Sequence, residues 1–90
     1  MPYIDKDTRS LFDNKIDMLL NTLCDDDKFN PGELNYIIYR LLRGIVKRKG
    51  IRYELLNALA GVLECCGIEF QRRVVAPYED KKIKENGDVE

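Results

Sequence analysis

The chain has 90 residues, of which 44% are hydrophobic and 34% charged, with a formal net charge of -1. That length gives one domain burying about 60–65% of the surface its unfolded form exposes, which excludes a second core and predicts modest stability. No run of ~18 apolar residues occurs, so no bilayer-spanning helix is expected. The opening "MPYIDKDTRS" lacks the basic and apolar regions of a signal peptide, which, with Met1 retained, points to the cytoplasm.

Cysteine usage narrows the chemistry. There are three cysteines, two of them adjacent as Cys65 and Cys66, and neither an odd count nor a neighbouring pair makes a disulfide framework. With no histidine and no CxxC, a zinc site does not fit. The cysteines are expected to be small buried or half-buried hydrophobes, with a redox or metal role for the adjacent pair as the alternative. Cofactor and metal are both expected to be absent.

Three helices are predicted in chain order. From Thr8 to Leu23, Phe12, Ile16, Leu19, Leu20 and Leu23 recur on one helical face, with Asp5 or Asp7 as N-cap. That helix stops in "CDDDKFN", where Asp25, Asp26 and Asp27 sit badly at the negative end of a helix dipole. The second helix starts at "NPGEL": Asn30 caps, Pro31 fits the first helical position, and Glu33 reaches back as in a capping box. Its apolar stripe runs through Leu34, Ile37, Ile38, Leu41, Leu42, Ile45 and Val46 to a stop at Gly50.

The third helix begins near Tyr53. Leu56, Leu59, Leu63, Cys66 and Phe70 alternate steps of three and four, the seam of a left-handed helix pair, widened by Leu55, Val62 and Val74. Gly61 and Gly67 are read as sites of close backbone approach by a neighbour. Pro77 kinks or ends the helix, and Tyr78 to Glu85 is helical again until Asn86-Gly87. The fold class is therefore all-α: a compact three-helix domain with a bent C-terminal extension, one domain over residues 1–90. The surplus of apolar faces predicts a homo-oligomer with the third helix at the interface, since so short a chain gains burial by association.

Catalysis is not expected. A general base near neutral pH would require a strongly perturbed Glu, Asp, Cys or Lys in a chain without histidine. "NPGEL" and "RGIVKRKG" lack the pattern of a phosphate loop, and Glu54, Glu64 and Glu69 have no histidine partners for a di-iron site.

The strongest positive feature is basic. Arg40, Arg43, Lys47, Arg48, Lys49 and Arg52 lie between Tyr39 and Tyr53 without an acid among them. Tyr36, Arg40, Arg43 and Lys47 share one helical face, with Tyr39 beside it. Guanidinium forks bind phosphate and tyrosine rings stack on bases, so this face is a candidate anion site. A solvated helix face, its arginines paired with the acids of this chain or of a partner copy, is the plainer reading. Arg72 and Arg73 invite the same two readings.

The tail from Tyr78 to Glu90 also has two. Tyr78, Ile83 and Val89 can staple it down while its acids cap the basic stripe. Alternatively, Tyr78, Glu79, Asp80, Asn86 and Asp88 line a polar pocket, with the amides of Asn86-Gly87-Asp88 aimed at an anion. Together these readings predict that the tail packs on a neighbouring chain and walls a pocket facing Arg72 and Arg73.

"MPYI", "GELNY" (Gly32 to Tyr36), "GVLE" (Gly61 to Glu64) and "EFQRRVVAPYEDKKIKENGDV" (Glu69 to Val89) together resemble a small family of roughly ninety-residue proteins of bacteria and their phages. The resemblance covers most of the chain and implies no assigned activity. The usual member has Phe-aromatic-Arg-Arg where this chain has Phe70-Gln71-Arg72-Arg73, which removes an aromatic contact at Gln71. Some phage proteins of this size sequester nucleotide signals of host immunity, an analogy of size and origin only.

Three functions follow as expectations. The first is a homo-oligomer that captures a small anionic, nucleotide-type ligand through Tyr36, Tyr39, Arg40, Arg43, Arg72, Arg73, Tyr78, Glu79, Asn86 and Asp88. The second is a protein–protein adaptor or inhibitor, of a host protein for example, using the same surface. The third is a nucleic-acid binder, against which a pI near 5.5 counts.

Overall fold

A computed structural model of the chain describes residues 2–25 and 27–90; Met1 of "MPYI" and Asp26 of the acidic loop lie outside the described residues. All regular structure among the described residues is helical. The elements are α1 (Lys6–Ser10), α2 (Asp13–Leu23), α3 (Pro31–Lys49), α4 (Tyr53–Phe70), a π-helical turn (Gln71–Val75) and α5 (Ala76–Asn86). Contacts divide the described chain into an N-terminal unit ending at Leu56 and a C-terminal unit, Asn57–Glu90.

In the N-terminal unit the expected first helix is two. Asp5 caps α1, its Oδ1 accepting the Thr8 amide at 2.8 Å. The chain then tightens: the Leu11 and Phe12 amides donate three residues back, to Thr8 and Arg9. Local side chains support that turn. The Arg9 Nε donates to the Ile4 carbonyl at 2.7 Å, and the Ser10 hydroxyl donates to the Asp7 carbonyl. Side chains competing for backbone groups in this way weaken a continuous helix. From Asp13 onward the apolar spacing resumes as α2.

The Asp5 cap carries a pH prediction. Its carboxylate is held below the usual carboxylate range, first by the Thr8 backbone N–H it accepts and then by the Thr8 side chain. A depressed folded pKa contributes stability above the unfolded value of about 3.9 and loses it as pH falls through the folded one. The Thr8 amide resonance should therefore titrate with a midpoint below about 3.9. In Asp5→Asn, which accepts the bond without titrating, that transition should vanish.

Helix α3 begins as its sequence dictates. The Asn30 Oδ1 accepts the Gly32 amide at 2.8 Å, and Pro31 occupies the first turn. Glu33 donates its backbone N–H to the Asn30 carbonyl, but its side chain does not return the bond a capping box requires. The single side-chain cap makes Asn30→Ala cost about 1 kcal/mol, read as a lower thermal midpoint. The helix ends at Gly50, whose φ of +89° and ψ of 153° lie in a region open essentially to glycine. Lys47, Arg48 and Lys49 face the negative end of the dipole.

The helix that starts at Tyr53 does not end at Pro77. It continues as α5 through the π turn, where the Ala76 N–H donates five residues back to the Gln71 carbonyl. Pro77 has no amide hydrogen, and its ring crowds the carbonyl one turn earlier. Inserting one residue into the turn accommodates the ring without breaking the helix. Gly87, with φ of +87°, then closes α5, its amide donating to the Ile83 carbonyl.

The buried core expected of a compact domain does not occur among the described residues of either unit. No described residue is buried, and Leu34, Ile38, Leu41 and Ile45 of α3 are all exposed, as are Leu56, Leu63 and Phe70 of α4. Cys24, Cys65 and Cys66 are free and exposed, contrary to the burial expected of them. An added methyl at Gly61 or Gly67 would meet nothing within 4 Å among the described residues, so the close approach expected there is not made within the C-terminal unit. The cause is shared: the helix faces on which these residues lie are uncovered. Each half-exposed aliphatic side chain forgoes roughly 1 kcal/mol of the 1.5–3 kcal/mol that full burial contributes.

Candidate functional site

The expected site residues fall into two groups, one in each unit. Tyr36, Tyr39, Arg40 and Arg43 belong to α3. Arg72 and Arg73 lie in the π turn, Tyr78 and Glu79 in the first turn of α5, Asn86 at its last position and Asp88 beyond it.

On α3 the helical spacing brings Tyr36 and Arg40 together. The Arg40 guanidinium donates to the Tyr36 hydroxyl at 3.0 Å and lies over its ring, 5.8 Å from the centroid. That hydrogen bond, and then the charge interaction with the same hydroxyl, raise the Arg40 pKa, so the guanidinium stays protonated. One N–H is engaged by the tyrosine, and the planar fork keeps others for an anion. Tyr36 and Tyr39 are 60% and 62% exposed, leaving ring faces free for stacking.

Tyr36 also borders a cleft within the N-terminal unit. Leu19, Thr22 and Leu23 of α2 form one wall, and Gly32, Glu33 and Ile37 of α3 the other. Along the rest of α3, Arg40, Arg43 and Lys47 contribute to the lining of an open groove, together with aliphatic side chains that include Ile37 and Val46 beside them on the helix. None of the six cations from Arg40 to Arg52 has a carboxylate partner among the described residues.

In the C-terminal unit the arginines are engaged differently. The Arg72 Nε donates to the Glu69 Oε1 at 3.1 Å and a terminal nitrogen reaches the same oxygen, an ion pair one turn apart. A shallow groove beside it is lined by Leu63, Glu64, Gly67, Ile68, Gln71, Arg72 and Ala76. No residue of the tail from Tyr78 onward contributes to that lining.

Two details of the tail also differ from expectation. The Gly87 amide, one of the three expected to point at an anion, donates instead to the Ile83 carbonyl at 2.8 Å, and the next-but-one amide, of Val89, donates to the Asp88 Oδ1 at 2.7 Å. Val89 is 98% exposed and staples nothing within the chain. Tyr78 carries the Lys82 ammonium 5.5 Å from its ring centroid, and Lys82 pairs with Glu85 at 3.1 Å. Those contacts were legible as i, i+4 and i, i+3 spacings in "YEDKKIKE".

Among the described residues no group of three or more Cys, Asp or Glu could hold a metal ion, and no helix is long and apolar enough to cross a membrane.

A family model described as a domain of unknown function, DUF6899, matches residues 1–89, and the chain belongs to that family. The match agrees with the resemblance to a family without assigned activity. No curated protein and no solved structure matches the chain.

Proposed function

We propose that the protein is a non-enzymatic, homo-oligomeric binding protein of the cytoplasm that captures a small anionic ligand of nucleotide type. The observation that carries this reading is the Tyr36–Arg40 pair: a protonated guanidinium, oriented over an exposed ring by its own hydrogen bond, one turn from Arg43. Such a pair offers a phosphate a charged, directional donor and a base a stacking surface. Catalysis has no comparable support: the carboxylate held below its ordinary range, Asp5, is the exposed cap of α1.

Assembly is the other half of the reading. A domain of this size with no buried residue lacks the apolar burial that offsets chain entropy, and a second copy is the most direct source of it. In a phage or prophage setting, capture without turnover would remove a host signal from solution. An adaptor for a host protein uses the same exposed surface and is the second reading.

Native mass spectrometry of the protein purified from cells tests both halves at once. The expected spectrum shows a multiple of the 10.5 kDa chain carrying a nucleotide-sized adduct that denaturation releases. A bare monomer that gains no adduct from a deproteinised cell extract would overturn the proposal. A retained protein in place of the adduct would favour the adaptor.

A further inference from the structure

The cationic face of α3 stands opposite its apolar stripe. At about 100° per residue, Tyr36, Arg40, Arg43 and Lys47 fall within roughly 60° of arc, centred nearly half a turn from Leu34, Ile38, Leu41 and Ile45. Beyond Glu33 the helix has no acid, and none of its cations is neutralised by a described carboxylate. Whatever covers the apolar stripe therefore leaves the basic face pointing away from it. From Tyr36 to Lys47 that face runs about 16 Å along the helix axis, longer than one phosphate group needs.

We propose that this face of α3 binds single-stranded nucleic acid, with Arg40, Arg43 and Lys47 on successive phosphates and Tyr36 and Tyr39 stacked on bases. This goes beyond capture of one small ligand, and it stands even if no small molecule is retained. Two alternatives fit the geometry less well. An amphipathic helix on an anionic membrane needs its cations flanking the apolar stripe, where they reach headgroups while the stripe enters the acyl region. Here Arg40, Arg43 and Lys47, three of the five cations of α3, lie on the far side. A duplex offers phosphates but hides its bases, leaving two well-exposed tyrosines without a role.

The chain's net charge of -1 does not oppose this, because screening at physiological salt limits the reach of distant acids to about 8 Å. A strand lying on α3 senses the acid-free face first. The inference thus rests on local charge and aromatic placement.

Fluorescence anisotropy of the full chain with a fluorescein-labelled oligothymidylate, titrated in salt from low to physiological concentration, tests it. Three phosphate contacts on a single strand give a slope of log affinity against log salt of about -2, steeper if an assembly presents several faces. Arg43→Ala should weaken binding and flatten the slope by about 0.7. Tyr39→Leu should weaken binding roughly tenfold with the slope unchanged, the mark of lost stacking. Both positions are exposed, and circular dichroism will show the helices retained.

Three results would overturn the proposal: no binding at low salt, binding indifferent to Arg43→Ala, or tighter binding to a duplex of equal length or to anionic vesicles. Strand binding without any retained small molecule would instead remove the nucleotide-capture reading while leaving this one.

Discussion

Leu63→Glu should reduce the protein from a multiple of its chain mass to the monomer, as read by light scattering at micromolar concentration. Leu63 lies midway along the spaced row of Leu56, Leu59, Cys66 and Phe70 on α4, and 46% of its surface is exposed. In an assembly that row is the natural seam, and Gly67, which flanks it and meets nothing within 4 Å among the described residues, admits a partner's backbone closely. Losing the leucine from a packed interface costs about 2–5 kcal/mol, and burying a carboxylate there costs more. Since each 1.4 kcal/mol is tenfold, the dissociation constant should rise at least about a hundredfold. Glu54→Gln on the same helix, which alters charge without entering the seam, should leave the mass unchanged. A wild-type protein already at monomer mass would remove both the prediction and the assembly it tests.

Arg40→Ala should release most of the captured anion while leaving the assembly intact. Charge-assisted hydrogen bonds contribute about 1.5–3 kcal/mol, so affinity should fall roughly 10- to 150-fold by calorimetry. Tyr36→Phe separates two roles of the tyrosine. It keeps the ring for stacking and removes the hydroxyl that orients Arg40, so its loss should be smaller than that of Arg40→Ala. The pH profile gives an independent check. An arginine guanidinium is protonated throughout the neutral and mildly alkaline range, so any step in capture there should be the same in wild type and Tyr36→Phe and come from the ligand's own phosphate. Equal affinity in the wild type and Arg40→Ala would move the site away from α3.

Local chemistry accounts for the features that the sequence makes legible. The starts and stops at Asp5, Asn30-Pro31, Gly50 and Gly87 follow from backbone groups that only certain neighbouring side chains can satisfy, and all four lie where the sequence signals them. The Tyr36–Arg40 contact is of the same kind, a consequence of i, i+4 spacing on one helix. Such features need no knowledge of the rest of the chain.

Residue order alone thus specifies the all-helical class, most helix ends and the opposed apolar and basic faces of α3. Other features depend on how the chain is arranged in space. The break at Leu11–Phe12 depends on Arg9 and Ser10 turning back to nearby carbonyls, one rotamer choice among several that the spacing permits. At Pro77, proline chemistry allowed a kink, a stop or an inserted residue, and the structure takes the inserted residue as a π turn. The Val89 amide went to Asp88 because a carboxylate one residue away needs little chain ordering to reach it. Burial differs most from expectation: periodicity says which side chains share a face, but covering that face takes another surface in space. For the apolar rows of α3 and α4 the chain itself does not supply one, which leaves Cys65, Cys66, Gly61 and Gly67 open.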